Sequence, residues 1–234
     1  MSNRGLALLS AESKEDAPLL PEHFRRVDEG EDAQFYSQPR LVNHIDDGAI
    51  GVIGDFYREI LPSGGNVLDL MSSWVSHLPR DISYGGVVGL GMNQTELDEN
   101  PVLTQRTVHD LNRDPLLPYK THQFDGAVVS VSVQYLTKPV EVFAEVGRVL
   151  KPGAPFAVTF SNRMFPTKAI RIWQLCDDRQ RSSLVALYFE LSKAFGEARA
   201  FNLNPAAFSS DPVYAVVAEA LGASTADLDE RGIK

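Results

Sequence analysis

Residues 67–75 of the chain read VLDLMSSWV. The first four residues form an apolar run broken only by Asp69, which is typical of a parallel strand that is covered on both faces. A glycine-rich loop is expected after such a strand, but residues 71–74 contain no glycine. The stretch therefore predicts the first strand of a nucleotide-binding α/β domain, followed by an unusual loop.

Short apolar segments recur along the chain and alternate with amphipathic ones. Alternation of this kind predicts an α/β fold, with a doubly wound, mostly parallel seven-stranded sheet and its site at the carboxyl ends of the strands. The predicted strands are 66–70, 86–90, 107–109, 124–131, 155–160, 198–202 and 213–218. The predicted helices are 45–60, 139–150 and 181–195, the first of them part of an N-terminal helical cap.

Two of the predicted helices have a clear apolar stripe. In helix 139–150, Glu145 and Arg148 are predicted to face water and to pair with each other, because they lie three residues apart. The buried stripe of that helix is predicted to be Val142, Phe143, Val146 and Val149. The stripe of helix 45–60 is predicted to be Ile50, Ile53, Phe56 and Ile60.

The two ends of the chain differ in composition from its middle. The first thirty residues are polar and rich in acidic side chains, so we expect residues 1–33 to be a loosely ordered extension. Residues 34–222 carry the alternating pattern and are expected to form one domain that includes the cap. Residues 223–234 are expected to be a C-terminal tail.

Composition narrows the classes of function. The 234-residue chain has a net charge of −9, which disfavours a nucleic acid partner because phosphate binding depends on clustered Lys and Arg. Its single cysteine, Cys176, excludes an internal disulfide framework and suits a reducing compartment. No apolar run approaches the ~20 residues that span a membrane. We therefore expect a soluble, cytoplasmic protein.

Four sequence motifs, in order, resemble those of class I S-adenosylmethionine-dependent methyltransferases. The most specific is EVGRVLKPG at 145–153, which is similar to the E-x-x-R-V-L-K-P-G segment of the type 11 branch, whose members act on small molecules. The others are VLDL at 67–70, HDLN at 109–112, and FDGAVVS at 124–130 followed by VQYL at 133–136. The resemblance covers roughly residues 45–219 and implies S-adenosylmethionine as the cofactor.

In that family, the acid that ends the first strand holds the amino end of the cofactor, and Asp69 has that position here. The other interpretation of Asp69 is a residue that caps the turn into the next helix. The hydroxyl groups of Ser72 and Ser73 are small enough to cradle the methionine end where glycines usually stand. The cofactor-binding residues that the resemblance implies are Asp69, Met71, Ser72, Ser73, Gly91, Met92, Asn93, Asp110, Leu111 and Ser130.

The family also has an acid after the second strand that binds the ribose hydroxyl groups, and Gly91 stands at that position. Loss of this acceptor should weaken cofactor binding by about 1–3 kcal/mol unless another residue replaces it. Asn93 is the expected substitute. Asp110 matches the residue that accepts a hydrogen bond from the adenine amino group, although a role in the turn before Asn112 is equally open.

Residues near the strand ends and in the cap are candidates for the substrate pocket. Methyl transfer depends mainly on alignment, and a general base is needed only if the acceptor carries a proton at neutral pH. The substrate-binding candidates are Tyr36, Arg40, Gln134, Tyr135, Asn162 and Arg163. No catalytic residue is identified, and the candidates for a base are Tyr135, His77 and His44.

The sequence therefore predicts methyl transfer from S-adenosylmethionine to a small molecule, without a metal, because no His, Asp or Glu cluster has metal-ligand spacing. The alternative is a non-catalytic relative that binds a protein or senses a ligand, favoured by the missing glycines and the missing ribose acid. A nicotinamide oxidoreductase is disfavoured by the absence of a G-x-G-x-x-G motif.

Overall fold

The computed structural model describes residues 19–204 and 210–222, which contain a seven-stranded sheet. The order of the strands is β3-β2-β1-β4-β5-β7-β6, and β1 to β5 are parallel while β7 runs antiparallel to both of its neighbours. This confirms the predicted α/β fold. The strands are β1 (Asn66–Leu70), β2 (Gly86–Gly91), β3 (Gln105–Val108), β4 (Gly126–Ser130), β5 (Pro155–Phe160), β6 (Arg199–Asn202) and β7 (Tyr214–Glu219).

Helices cover both faces of the sheet. They are α1 (Asp32–Phe35), α2 (Asp47–Ile60), α3 (Gln94–Glu99), α4 (Pro139–Val149), α5 (Arg171–Leu175) and α6 (Asp178–Ser192), with short 3₁₀ helices at Pro21–Phe24 and Val133–Tyr135. Within the described ranges, no helix has the length and apolar character needed to cross a membrane.

Alternate residues of the strands supply two separate cores. Val128 of β4 packs with α2 and α3 on one face, whereas its neighbours Ala127 and Val129 pack with α4, α5 and α6 on the other. Side chains that point to opposite faces of each strand therefore explain the continuous apolar runs in the sequence. The three layers leave the carboxyl ends of the parallel strands open for a site.

The helix faces agree with most of the predicted stripe residues. All four predicted residues of α4 are buried, but Glu145, which was predicted to face water, is only 3% exposed. Its carboxylate pairs with Arg148, as predicted, and accepts a hydrogen bond from the Leu117 N–H. In α2, Tyr57 is fully buried in addition to Ile53 and Phe56, while Ile50 and Ile60 are only partly buried.

The acidic N-terminal segment packs against the domain from residue 19 onwards, although we expected residues up to 33 to be loosely ordered. Asp32 is 6% exposed and accepts hydrogen bonds from Arg26 through both carboxylate oxygens at 2.8 Å. Lys168 is fully buried and lies 3.0 Å from Asp32 and 3.2 Å from Asp28. One of the cations that hold this segment in place, Lys168, therefore lies far away from it in the sequence. Residues 1–18 and 223–234 lie outside the described residues.

We expect Asp32→Asn to lower the free energy of unfolding by about 3 kcal/mol, because it leaves the buried Lys168 and Arg26 without their shared carboxylate. Urea unfolding of the full chain measures this change. Asp28→Asn is the matched control. The Asp28 side chain is 42% exposed and forms an ion pair with Lys168 alone, so the unfolding curve of this variant should stay close to that of the wild type. Equal effects of the two substitutions would show that the ion cluster does not hold the segment in place.

Candidate cofactor and substrate site

A cavity of about 280 Å³ lies at the carboxyl ends of β1, β2 and β4. The order of the strands reverses here, since β2 and β4 flank β1 on opposite sides, and doubly wound sheets bind their ligands at such a point. The N-terminal segment and the loop after β5 complete the wall of the cavity. Its size is at the lower end of the range for small-molecule sites.

Most of the residues predicted from the sequence line this cavity. Of the residues predicted to bind the cofactor, those that line the cavity are Asp69, Met71, Ser72, Ser73, Gly91, Met92, Asp110, Leu111 and Ser130. Of the residues predicted to bind the substrate or to act as a base, those that line the cavity are Tyr36, Arg40, His44, His77, Tyr135 and Arg163. Asn93, Gln134 and Asn162 do not line it.

Asp69 is the most deeply buried carboxyl group of the cavity, with 2% of its surface exposed. The Ser72 hydroxyl donates a hydrogen bond of 2.6 Å to its Oδ2 atom. In the part of the chain that the structure describes, Asp69 forms no ion pair with a Lys, Arg or His side chain. Burial therefore raises the pKa of Asp69 to about 7, despite the hydrogen bond from Ser72.

The loop after β1 crosses the end of β2. Met71 has a φ of +54°, the left-handed conformation in which glycine is usual, and the Ser72 N–H then donates to the Leu90 carbonyl at 2.8 Å. A Cβ atom on Gly91 would lie 2.1 Å from the Ser72 carbonyl oxygen. This close approach explains why position 91 holds glycine rather than an acid.

Asn93, the expected substitute for the ribose acid, does not line the cavity. Its Oδ1 atom accepts the Glu96 N–H and caps α3, while its Nδ2 atom donates to the Tyr36 and Ser37 carbonyls at 2.8 and 3.2 Å. The amide is therefore occupied in joining the N-terminal segment to α3. Asn is also a common residue at the N-cap of a helix, and this is the role that the structure gives Asn93.

Glu96 lines the cavity but was not predicted to belong to the site. It is 8% exposed, and its carboxylate accepts the Ser73 hydroxyl at 2.6 Å and the Arg40 N–H at 2.7 Å. Glu96 follows Asn93 by three residues, which is the spacing of a helix capping box. That spacing gives the residue a local structural explanation, so the sequence provides no separate signal of a site.

Asp110 contributes both to a turn and to the cavity wall. Its Oδ1 atom accepts the N–H groups of Asn112 and Arg113 at 3.0 and 3.2 Å. The side chain lines the cavity next to the buried Leu111. The two interpretations left open by the sequence are therefore compatible.

Aromatic rings surround Arg40 on one side of the cavity. The Arg40 guanidinium lies 4.6 Å from the ring centre of Phe35 and 5.4 Å from that of Phe165. The Tyr135 hydroxyl accepts a hydrogen bond of 2.8 Å from the Phe165 N–H. Arg40 and Tyr135 are thus held in place by aromatic and backbone contacts in the wall of the cavity.

Three of the predicted substrate residues already have protein partners or lie outside the cavity. Gln134 is fully buried and donates to the Val131 carbonyl at 2.9 Å, so it supports the loop after β4. Asn162 is exposed. Arg163 lies at the rim and forms a 2.7 Å ion pair with Asp211. The side chain of Gln134 thus bonds within its own loop, whereas that of Arg163 bonds a residue far away in sequence.

The protein environment shifts the pKa of each of the three candidates for a base away from neutral pH. Burial lowers the pKa of His77 to about 4, and desolvation also lowers the pKa of His44. Burial raises the pKa of Tyr135, so its hydroxyl stays protonated. Among residues 19–204 and 210–222, no cluster of three or more His, Cys, Asp and Glu side chains is arranged to hold a metal. These three side chains are therefore suited to shaping the cavity more than to proton transfer.

We expect Gly91→Ala to lower the free energy of unfolding by about 1–3 kcal/mol, because the added methyl group would collide with the Ser72 carbonyl of the crossing loop. Gly51→Ala is the control. Gly51 is an exposed residue of α2 with no atom within 4 Å of the added methyl, so that change should stabilise the helix by about 1 kcal/mol. Urea unfolding measures both variants. A neutral Gly91→Ala variant would contradict the crossing of the loop over β2.

Comparison with known proteins agrees with this geometry. Residues 82–158 match the methyltransferase domain family. The chain is 26% identical over 183 residues to the biotin biosynthesis bifunctional protein BioHC of Teredinibacter turnerae, a match that covers 70% of this chain and 31% of that protein. The chain thus spans about a third of the length of the curated relative it matches.

Two solved structures share the fold. A methyltransferase dependent on S-adenosylmethionine from Aquifex aeolicus superposes with a TM-score of 0.52 and 15% identity, over 80% of this chain and 96% of its own. The [4+2]-cyclase SpnF superposes with a TM-score of 0.53 and 15% identity, over 73% of this chain and 81% of its own. The strand order and the cavity at the strand ends are thus those of a Rossmann-like methyltransferase fold, and residues 82–158 match the methyltransferase domain family.

Proposed function

We propose that this protein transfers the methyl group of S-adenosylmethionine to a small-molecule acceptor. The observation that carries the proposal is the buried carboxyl group of Asp69, which lacks a cationic partner among the described residues and lines a cavity at the point where the strand order reverses. A ligand with an ammonium group would supply the missing positive charge. S-adenosylmethionine carries such a group at its methionine end.

The residues of the cavity fit the cofactor at both of its ends. Asp69 would hold the ammonium group, because a charge-assisted hydrogen bond favours the ionised carboxylate. Asp110, whose Oδ1 atom is used by the turn, keeps its other oxygen for a donor such as the adenine amino group. When bound, the cofactor supplies an electrophilic methyl group on a sulfonium centre.

The chain's own contribution to the reaction would be alignment and exclusion of water. The N-terminal segment covers the cavity, with Tyr36, Arg40 and His44 in its wall. Alignment of two reactants in an enclosed site accelerates a transfer reaction without a covalent intermediate. The lowered pKa values of His44 and His77 keep both rings neutral at pH 7, so they shape the pocket and accept hydrogen bonds without adding charge.

A second candidate function is non-catalytic binding of a ligand. It is favoured by the replacement of the usual glycines in the loop after β1 and by the glycine at the position of the ribose acid. The [4+2]-cyclase SpnF shares the fold, so this architecture is not restricted to proteins named as methyltransferases. Binding without transfer would distinguish this candidate from the enzyme.

We expect the protein to bind S-adenosylhomocysteine, and Asp69→Asn to weaken that binding by about tenfold or more. Since burial raises the pKa of Asp69 to about 7, the group is largely neutral at pH 5.5 and largely ionised at pH 8. An ammonium ligand needs the ionised form, so the affinity should rise with pH across this window, by up to about tenfold per unit below the pKa, and then level off. Isothermal titration calorimetry at a series of pH values measures this.

Asp98→Asn is the matched control, because Asp98 is an exposed acid on α3 that does not line the cavity. It should leave both the affinity and its pH dependence unchanged. An affinity that does not vary between pH 5.5 and 8 would remove Asp69 from the site.

Transfer itself is tested with S-adenosylmethionine that carries a tritiated methyl group, incubated with the protein and a cell extract. We expect the label to appear in the small-molecule filtrate of the extract. Label in the macromolecular fraction would contradict a small-molecule acceptor. Binding of the cofactor with no transfer to either fraction would favour the non-catalytic candidate.

A further inference from the structure

We propose that Glu96 of α3 binds the ribose hydroxyl groups of the cofactor in this protein. This assignment rests on the proposed function, since it concerns the same ligand. It places the ribose acceptor on the helix that follows β2 rather than at the end of the strand itself. The carboxylate would accept hydrogen bonds from one or both hydroxyl groups.

The end of β2 cannot carry this acid because of the loop that crosses it. Doubly wound sheets that bind nucleotides commonly place an acid for the ribose near the end of their second strand. Here the Ser72 carbonyl would lie 2.1 Å from a Cβ atom on Gly91, and this neighbour is backbone that cannot move aside by a change of rotamer. An acid that binds the ribose must therefore come from another element.

Glu96 is suited to the role by its burial and by its remaining hydrogen-bonding capacity. It lines the cavity and is 8% exposed. Each of its oxygens accepts one hydrogen bond, from the Ser73 hydroxyl at 2.6 Å and from the Arg40 N–H at 2.7 Å. An ionised carboxylate has about four acceptor sites, so about two remain for a ligand. Both existing donors also fix the direction in which the carboxylate points.

The other carboxyl groups that line the cavity are already assigned. They are Asp32, Asp69 and Asp110. Asp32 is neutralised by Arg26 and Lys168, and Asp110 closes the turn after β3. Asp69 lies on the neighbouring strand β1. Within the described residues Glu96 forms no ion pair, so it is the carboxylate available on the side of β2 and α3.

The position of Glu96 also connects the two halves of the site. Its carboxylate joins Ser73 of the loop after β1 to Arg40 of the N-terminal segment, whose guanidinium packs on aromatic rings. A ribose bound at Glu96 would therefore lie against both the loop after β1 and the backbone of the substrate pocket. Cofactor binding and the position of Arg40 are thus expected to be coupled.

The test compares two ligands, S-adenosylhomocysteine and its 2′,3′-dideoxyribose analogue, by calorimetry on the full chain. We expect the wild-type protein to bind the dideoxy analogue about tenfold or more weakly. Glu96→Gln should weaken the binding of S-adenosylhomocysteine by a similar factor. It should leave the affinity for the dideoxy analogue within about twofold, because the substitution and the removal of the ribose hydroxyl groups each remove the same hydrogen bonds. Glu99→Gln, an exposed acid of the same helix, should behave as the wild type for both ligands.

A purely structural role of Glu96 would give a different result. If Glu96 only positioned Ser73 and Arg40, Glu96→Gln would weaken both ligands equally, and this outcome would overturn the proposal, as would no change for either ligand. Glu96→Asp, which keeps the charge but shortens the side chain by one methylene group, supplies the same comparison if the Gln variant does not fold. Equal affinity of the wild-type protein for the two ligands would also overturn it. No binding of S-adenosylhomocysteine by the wild-type protein would instead overturn the proposed function, and this assignment with it.

Discussion

The buried carboxyl group of Asp69 is the constraint on which the account of the site depends. Its pKa of about 7 lies well above the usual value for an aspartate, so the folded chain holds the carboxylate at a cost on the order of 4 kcal/mol above pH 7. The cost is absent below about pH 4, where the group is neutral in both the folded and the unfolded chain, and it grows as the pH rises towards 7. A cationic ligand group would offset it, which links the stability of the fold to the occupant of the cavity.

The crossing of the loop after β1 over the end of β2 determines the geometry around that carboxyl group. The left-handed conformation of Met71 turns the chain so that the Ser72 N–H meets the Leu90 carbonyl. The Ser72 hydroxyl then reaches Asp69, and the Ser72 carbonyl lies against Gly91. The absence of an acid at this strand end is therefore a consequence of the path of the loop.

Much of the fold followed from the sequence because the signals for it are local. The apolar runs of β1, β4 and β5 and the stripe of α4 depend on the period of side chains along one element, and each was predicted within a few residues. The errors concern partners that are distant along the chain. Glu145 is buried because it pairs with Arg148 and also caps the Leu117 N–H, and Asp32 is ordered by Lys168, 136 residues later in the sequence. Glu96 was missed for a similar reason, since its partners Ser73 and Arg40 come from two other segments.

The pKa of Asp69 is the quantity that tests this account most directly. It can be measured by carbon NMR on protein labelled at the aspartate carboxyl carbon, with the Asp69 signal assigned from its absence in Asp69→Asn. We expect a pKa of about 7 in the free protein and a marked fall when S-adenosylhomocysteine is added, because the ligand's ammonium group stabilises the carboxylate. A pKa near 4 in the free protein, or one that the ligand leaves unchanged, would contradict this expectation.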